Sequence, residues 1–292
     1  MNTFKGTGVA LVTPFNPDFS IDYKGLVKLV ELQIAGGVDF LVVQGTTGES
    51  PTLTSEEKAK VLDTVLEVNN GKLPVVYGTG GNNTIAVAEQ LKSIQKGGVD
   101  GILSVSPYYN KPTQEGIFQH YKYIAEHTDL PIILYNVPGR TGSNVLAETT
   151  LRLAEISNIV AMKEASGNME QIMEIIRCKP EGFGVLSGDD ALTLPLIAAG
   201  AEGVISVVGQ AYPEKFTAMV NASLKGDFET ARKLHYELLP VTGMFFKEGN
   251  PAGVKAGLEV RGICSQVLRA PLVSVSGELE AAITRETKKL VG

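Results

Sequence analysis

One short pattern occurs three times in this chain and strongly limits the fold it can adopt. The stretches AGGVDFLVV from Ala35, KGGVDGILSV from Lys96 and AGAEGVISVV from Ala199 share a small or glycine-rich turn, an acidic residue and an apolar run. Each follows a stretch that looks helical. Glycine favours the left-handed backbone that ends a helix, and the apolar run suits a strand buried on both faces. The pattern therefore predicts a recurring helix-to-strand junction.

The same alternation continues between these copies. We predict strands at 6–12, 38–43, 74–78, 99–105, 131–136, 159–163, 183–187 and 203–207, and helices at 22–35, 54–69, 83–96, 114–127, 146–156, 168–178, 190–199 and 213–224. This alternation predicts an α/β protein with a (β/α)8 barrel, the TIM barrel. A doubly wound open sheet is the alternative, although it usually has fewer strands. GTGGNNT at 78–84 does not match a dinucleotide fingerprint, because Asn83 replaces its third glycine.

From about residue 226 the pattern changes. Stretches 226–239, 250–261 and 277–290 look helical with no strands between them, and 240–251 resembles a linker. We therefore divide the chain into a barrel domain that carries catalysis, residues 1–225, and a C-terminal helical domain, residues 226–292.

The composition narrows the functional classes. The 292 residues are 43% hydrophobic and 20% charged with a formal net charge of −6, which is typical of a globular protein with a substantial core. Lysine and arginine are scattered, so we expect no nucleic-acid surface and no membrane-binding patch. The N-terminus lacks signal-peptide features, and no apolar stretch reaches the roughly 18 residues of a membrane helix. A cytoplasmic location is the resulting expectation.

Cysteine and histidine are sparse. Cys178 and Cys264 lack a CxxC spacing and are expected to be reduced, buried thiols. The three histidines, His120, His127 and His235, show no ligand spacing. We therefore expect the protein to use no metal.

Candidate catalytic residues are expected at the C-terminal ends of the predicted strands, because the active sites of barrels lie at that face. Lys163 closes strand six after the apolar run of NIVAMKEAS, and Arg140 follows strand five. Hydroxyl groups close or follow neighbouring strands: Thr46, Thr47, Tyr108, Tyr109 and Tyr135. A lysine in such a rim loses hydration, which favours the neutral amine that attacks a ketone. Hydroxyls can shuttle the protons of imine formation. These residues predict Schiff-base catalysis, unless Lys163 extends to solvent or pairs with Glu164.

The surrounding motifs also admit structural interpretations. GTTGES at 45–50 offers backbone N–H groups and hydroxyls as a carboxylate-binding nest, or forms an ordinary turn before a helix. Tyr108 and Tyr109 fit a substrate site, loop packing or a subunit contact. Arg140 fits either a surface ion pair or a close-fitting loop at the rim.

In combination these motifs resemble a known family. GTTGES, PYYNKPTQEG, YNVPGRTG, KEASGN and LSGDD, in this order, are similar to those of the dihydrodipicolinate synthases, Schiff-base members of the N-acetylneuraminate lyase superfamily. The resemblance runs from about Gly6 through the C-terminal helices. It implies a cofactor-free lyase that condenses pyruvate with L-aspartate 4-semialdehyde to 4-hydroxy-tetrahydrodipicolinate, in lysine and diaminopimelate biosynthesis.

The resemblance also implies a role for each site residue. Lys163 forms the imine with pyruvate, and Tyr135, Thr46 and Tyr109 relay protons, with Tyr109 reaching in from a neighbouring subunit. Four residues contact substrate: Thr47 and Arg140 through the two carboxylates, and Gly188 and Ile205 through their backbone. The family is usually a homotetramer, a dimer of dimers, and that assembly is expected here.

One departure from the family concerns feedback by lysine. Lysine-inhibited members carry a polar or aromatic cluster at a dimer-interface cleft, which is matched here by Ser50, Asn82 and Tyr108. Ser55 stands where the family has histidine or tryptophan, Lys58 where it has a second histidine, and Ala86 where it has glutamate. Lys58 adds a like charge and Ala86 removes the counter-ion of the effector. We expect weak or absent inhibition by lysine.

Two other functions compete with the synthase. A sister class I aldolase, such as N-acetylneuraminate lyase or a 2-keto-3-deoxy-sugar-acid aldolase, shares the lysine and tyrosine but generally lacks an arginine at the position of Arg140 and the paired tyrosines. A non-catalytic barrel that senses a keto acid is the second alternative. The presence of the lysine and of all three relay hydroxyls argues against this second alternative.

Overall fold

A closed barrel of parallel strands forms the centre of the protein, as predicted. The computed structural model describes residues 4–94 and 97–292, and within these ranges eight strands pair in sequence order, with the first also pairing to the last. Their bounds are β1 Gly6–Ala10, β2 Phe40–Val43, β3 Val75–Gly80, β4 Gly101–Val105, β5 Ile132–Asn136, β6 Ile159–Glu164, β7 Gly184–Ser187 and β8 Gly203–Ser206. The predicted TIM barrel is confirmed, and the open sheet is wrong.

Helices surround this barrel and cover its outer face. The first nine are α1 Tyr23–Ala35, α2 Ser55–Asn69, α3 Thr84–Ile94, α4 Gln114–Ala125, α5 Pro138–Thr141, α6 Ala147–Ala154, α7 Met169–Cys178, α8 Thr193–Ala198 and α9 Pro213–Leu224. Only the short α5 was not expected from the sequence. Cys178, the last residue of α7, is exposed because it lies at the end of a surface helix, so the prediction of a buried thiol is wrong there, whereas Cys264 is buried as predicted. Residues 95–96, where the third predicted helix ends and the KGGVDGILSV stretch begins, lie outside the described residues.

Three further helices follow the barrel: α10 Phe228–Lys247, α11 Ala252–Val260 and α12 Gly277–Val291. The prediction of a linker at 240–251 is wrong over most of its length, because α10 continues through Pro240 to Lys247. Proline removes one helical hydrogen bond and its ring crowds the preceding turn, but burial of Val241 and Phe245 in the apolar core holds the second half of α10 in place. None of the described helices is both long and apolar enough to cross a membrane.

Two apolar layers follow from the two faces of the strands. One lies between strands and helices, and the other fills the barrel with side chains such as Phe40, Val42, Ile133, Tyr135 and Ala161. Each fully buried large side chain contributes about 1.5–3 kcal/mol to stability. Since side chains alternate along a strand, the residue two positions after Ala161 also faces the barrel axis. That residue is the lysine at the strand end.

Candidate active site

Lys163 lies at the C-terminal mouth of the barrel beside Tyr135. The register of β5 and β6 pairs these two residues directly, and Lys163 Nζ lies 4.2 Å from the centroid of the Tyr135 ring. The lysine side chain has little contact with water, because the residue is only 5% exposed. A desolvated amine therefore faces a phenol at the end of an apolar barrel.

Glu164, the next residue on β6, points to the opposite side of the sheet. Its carboxylate accepts hydrogen bonds from Asn136 Nδ2, the Ser166 N–H and Gln171 Nε2 at 2.8–3.1 Å. Burial raises the pKa of Glu164, and these hydrogen bonds oppose that shift. Among the described residues Lys163 has no ion-pair partner, so the alternative of a Lys163–Glu164 salt bridge is wrong.

The same amide network fixes the loop that carries Arg140. Asn136 Nδ2 donates to Asn144 Oδ1 at 2.7 Å, and the Val145 N–H donates to Asn136 Oδ1 at 3.0 Å. These bonds hold both ends of the segment 136–145, within which the short helix α5 exposes Arg140 toward the barrel mouth. No ion pair of Arg140 occurs in the part of the chain that the structure describes, which favours the rim-loop interpretation over a surface ion pair.

The GTTGES stretch folds into two consecutive 3-10 turns, Thr46–Gly48 and Ser50–Thr52. Thr46 is exposed at the barrel mouth, whereas Thr47 is buried beneath it. Thr13 Oγ1 donates to the Gly48 carbonyl at 2.7 Å, which attaches the turn to the end of β1. The stretch is thus a turn before a helix, and it also presents two hydroxyls at the mouth.

These residues converge on one cavity of about 190 Å³. Its lining includes six of the eight predicted site residues: Thr46, Thr47, Tyr135, Arg140, Lys163 and Gly188. The volume is smaller than the roughly 300–1,000 Å³ of sites for drug-sized ligands, so it suits a small metabolite. A neighbouring cavity of about 360 Å³ shares Thr46, Tyr135 and Arg140 and extends toward Ser50 and Lys58.

Gly188 lines this cavity at a position where there is no space for a side chain. A Cβ atom at this position would lie 2.7 Å from Ala165 Cβ and 3.1 Å from Lys163 Cε. The backbone of Gly188 approaches β6 closely, and its N–H donates to the Glu164 carbonyl at 2.7 Å. Glycine therefore leaves the room that the lysine side chain occupies.

Two predicted residues are not in the lining of either cavity. Tyr109 is 90% exposed, with a left-handed φ of 69° that tyrosine rarely adopts, and its side chain stays outside. Ile205 is buried in the inner core of the barrel, and Val207, two residues later, lines the cavity instead.

Among the lining residues that were not predicted from the sequence are Phe246 and Asn250, which follow the barrel in the chain. Asn250 is buried, and its Nδ2 donates to Thr47 Oγ1 at 2.8 Å. Nothing in the pattern of strand ends indicates them, because they reach the mouth only through the packing of α10 and α11. The C-terminal region therefore contributes part of the cavity wall.

Asp190 is a buried carboxylate behind β8. It accepts hydrogen bonds from Ser206 Oγ and from the Val207 N–H, the latter at 3.1 Å. Burial raises the pKa of Asp190 to about 6, although these hydrogen bonds lower it. The carboxylate fixes the end of β8 next to the cavity.

This shift predicts a pH-dependent effect of Asp190→Asn. The native pKa of about 6 lies above the unfolded value of roughly 3.9, so the native state holds a proton that the unfolded state has released between these values. Stability from Asp190 is therefore lost as the pH rises through this window. Relative to wild type, the variant should gain roughly 2 kcal/mol in unfolding free energy between about pH 4 and pH 7. Urea unfolding at both pH values checks this, and a pH-independent difference would contradict it.

Comparison with known proteins agrees with this geometry. A family model described as the dihydrodipicolinate synthetase family matches residues 3–290. The 4-hydroxy-tetrahydrodipicolinate synthase of Flavobacterium psychrophilum is 51% identical over 99% of each chain, and that of Phocaeicola vulgatus is 55% identical over 92% of this chain and 91% of its own. The crystal structure of dihydrodipicolinate synthase from Thermotoga maritima has a TM-score of 0.97 and 42% identity, and covers 99% of both chains.

The match extends over nearly the whole length of the chain and includes the barrel, the strand-end motifs and the C-terminal helices. The sequence comparison and the structure comparison identify the same family, and neither of them uses the geometry of the site. The chain belongs to the dihydrodipicolinate synthetase family.

Proposed function

We propose that this protein is a 4-hydroxy-tetrahydrodipicolinate synthase, a lyase that condenses pyruvate with L-aspartate 4-semialdehyde in lysine and diaminopimelate biosynthesis. The observation that carries the proposal is the shielded amine of Lys163 next to Tyr135, in a cavity of metabolite size. Relatives about 50% identical over almost the entire chain carry that enzyme name. Turnover that requires both substrates is the direct test.

The chemistry begins with attack of the Lys163 amine on the ketone carbon of pyruvate. The carbinolamine loses water to give an imine, and loss of a methyl proton converts the imine to an enamine. The enamine carbon forms a bond to the aldehyde carbon of the semialdehyde. The amino group of that substrate then displaces Lys163 from the imine carbon, which closes the ring and restores the free lysine. Each proton transfer needs a nearby hydroxyl group.

Tyr135, Thr46 and Tyr109 are the proposed proton relay. Tyr135 and Thr46 line the cavity, while Tyr109 is exposed and is not among its lining residues. A tyrosine held in a left-handed conformation and almost fully exposed is well placed to enter the site of a second copy. The proposal therefore includes a homotetramer built from two dimers, in which the dimer is the smallest active unit.

The proposed substrate contacts divide between the two carboxylates and the backbone. Thr47 together with Thr46 binds the pyruvate carboxylate, and Arg140 binds the carboxylate of the semialdehyde through a two-pronged hydrogen bond. The backbone contacts are assigned to Gly188 in the cavity wall and to Ile205 in the core below it.

Replacing Tyr135 by phenylalanine should lower kcat by about a hundredfold, the contribution typical of a positioned acid–base group. The ring that packs beside Lys163 remains, so the melting temperature should stay close to that of wild type. Steady-state kinetics with both substrates and thermal unfolding of the same preparation test this. Unchanged kcat would exclude Tyr135 from the relay.

Nothing in the comparisons favours a sister aldolase, since the reported relatives carry the synthase name. An assay with N-acetylneuraminate provides the check on this point. Steady cleavage of that sugar acid, without condensation of pyruvate and the semialdehyde, would overturn the proposal.

Lysine should inhibit this enzyme weakly or not at all. Ser50, Lys58 and Tyr108 line the larger cavity, and the Tyr108 N–H donates to Asn82 Oδ1 at 3.0 Å, which supports Lys58 as a neighbour of the proposed effector position. Lys58 places a positive charge where a cationic effector would bind. We expect activity to persist in millimolar lysine, and the double variant Lys58→His/Ala86→Glu to become more sensitive. Full inhibition of wild type by sub-millimolar lysine would contradict this.

Two further elements of the proposal concern location and domains. We propose that the enzyme works in the cytoplasm, which fits its free thiols at Cys178 and Cys264. We also propose residues 1–225 as the catalytic barrel domain and 226–292 as a helical domain, a division supported by the change from alternating strands and helices to helices after β8.

A further inference from the structure

An ion pair lies fully buried behind the active-site turn. Lys255 Nζ on α11 is 2.6 Å from Glu49 Oε1, and both side chains have an exposed fraction of 0%. Every other ion pair found among the described residues has at least one partly exposed side chain. Burial of two charges carries a large desolvation penalty, so such a pair contributes little net stability compared with apolar side chains of similar volume.

The remaining hydrogen-bonding capacity of the pair is also used. Glu49 Oε2 accepts from the Arg269 N–H at 3.0 Å, and Lys255 Nζ donates to the Val267 carbonyl at 2.8 Å. The lysine Nζ also lies 4.3 Å from the centroid of the Phe15 ring. These directional contacts fix Glu49 in three dimensions, which apolar packing of the same volume does not do.

Glu49 is part of the turn that presents the two threonines. It has a left-handed φ of 53°, unusual for a residue other than glycine, and its N–H donates to the Thr46 carbonyl at 3.1 Å. Five residues before Lys255, Asn250 donates to the hydroxyl oxygen of Thr47. The C-terminal segment therefore holds the Thr46–Thr47 turn at two points.

We propose that Glu49 and Lys255 are positioning residues for the keto-acid substrate. The buried pair holds the turn in the conformation that directs the hydroxyls of Thr46 and Thr47 at the substrate carboxylate, and it does so from the C-terminal helices. This inference rests on the proposed function. It assigns to α11 a part in substrate binding although Lys255 itself does not touch the cavity.

The test compares Lys255→Met, Glu49→Gln and the double variant Glu49→Gln/Lys255→Met. Each single change leaves one buried polar group without its partner and should lower the melting temperature. The double variant removes both charges and should recover most of that stability. If the pair has a positioning role, the KM of the double variant for pyruvate should nevertheless stay about tenfold above that of wild type, while kcat changes less. The reason is that the ion pair no longer fixes the orientation of the Thr46–Thr47 turn. Lys179→Met is the matched control.

Lys179 makes the same kinds of contact at the opposite end of the barrel. Its Nζ donates to the Phe183 carbonyl at 2.5 Å and to Glu202 Oε1 at 3.1 Å. Its replacement should leave KM and kcat unchanged. If the double variant regains wild-type KM together with wild-type stability, the pair has only a structural role and the inference is wrong.

Borohydride trapping of pyruvate on the enzyme measures the rate of adduct formation at different pyruvate concentrations. A loss of stability alone does not change how this rate depends on the pyruvate concentration. The double variant should form the adduct slowly at low pyruvate and at the wild-type rate at saturating pyruvate. Equal rates at all concentrations would also overturn the inference. If wild type itself forms no adduct and shows no turnover, the proposed function fails instead, so the two failures are distinguishable.

Discussion

Replacement of Lys163 by alanine should abolish the condensation, with kcat/KM falling by about a thousandfold or more, because Lys163 is the only lysine among the described residues that line the cavity. Wild type treated with pyruvate and borohydride should carry a reduced pyruvate adduct on Lys163, identified by peptide mass spectrometry. The alanine variant should carry none. Its fold should be retained, since a buried amine without an ion pair contributes little to stability.

Lys58 offers a matched control for this experiment. It lines the adjacent cavity, within the same mouth of the barrel, but it is not in the lining of the cavity around Tyr135 and Thr47. Lys58→Ala should form the adduct as wild type does. An adduct on any lysine other than Lys163 would contradict the Schiff-base assignment and, with it, the relay roles of Tyr135 and Thr46.

Gly253→Ala should destabilise the protein by about 3 kcal/mol, since overpacking against rigid backbone cannot be relieved by a side-chain rotation. A Cβ atom at Gly253 on α11 would lie 2.5 Å from both the Cα and the carbonyl oxygen of Phe245 on α10. The two helices touch through their backbones at this point. Any separation of them would also displace Asn250, which lies in the turn between them and bonds to Thr47.

Urea unfolding and kinetics of the same samples measure this effect. Gly243→Ala is the control, because Gly243 lies exposed in the interior of α10 with open space where a Cβ would be placed. That change should stabilise the protein by about 0.5–1 kcal/mol through helix propensity and reduced chain entropy. We expect Gly253→Ala also to raise KM for pyruvate. Similar stability of the two variants would show that the helices can move apart at little cost.

The alternation of strands and helices was predictable from the sequence because it depends on local patterns. Apolar runs buried on both faces, turn residues and helical periodicity act over ten to twenty residues, and they gave the barrel and its order of elements. The inward direction of Lys163 follows equally from the two-residue period of β6. The motif resemblance pointed to the family that the comparisons then showed.

Contacts between distant parts of the chain could not be predicted in this way. The bond from Asn250 to Thr47 joins residues 203 positions apart, and Lys255 to Glu49 spans 206 positions. Three further features depend on burial and packing: the exposure of Tyr109, the continuation of α10 through Pro240 and the raised pKa of Asp190. Local sequence determined which residues stand at the mouth of the barrel. Contacts between distant parts of the chain decided how these residues are held: Asn136 and Asn144 fix the loop of Arg140, and the C-terminal helices fix the turn of Thr46 and Thr47. Such contacts are properties of the assembled fold, because they depend on burial and on the geometry of the partners.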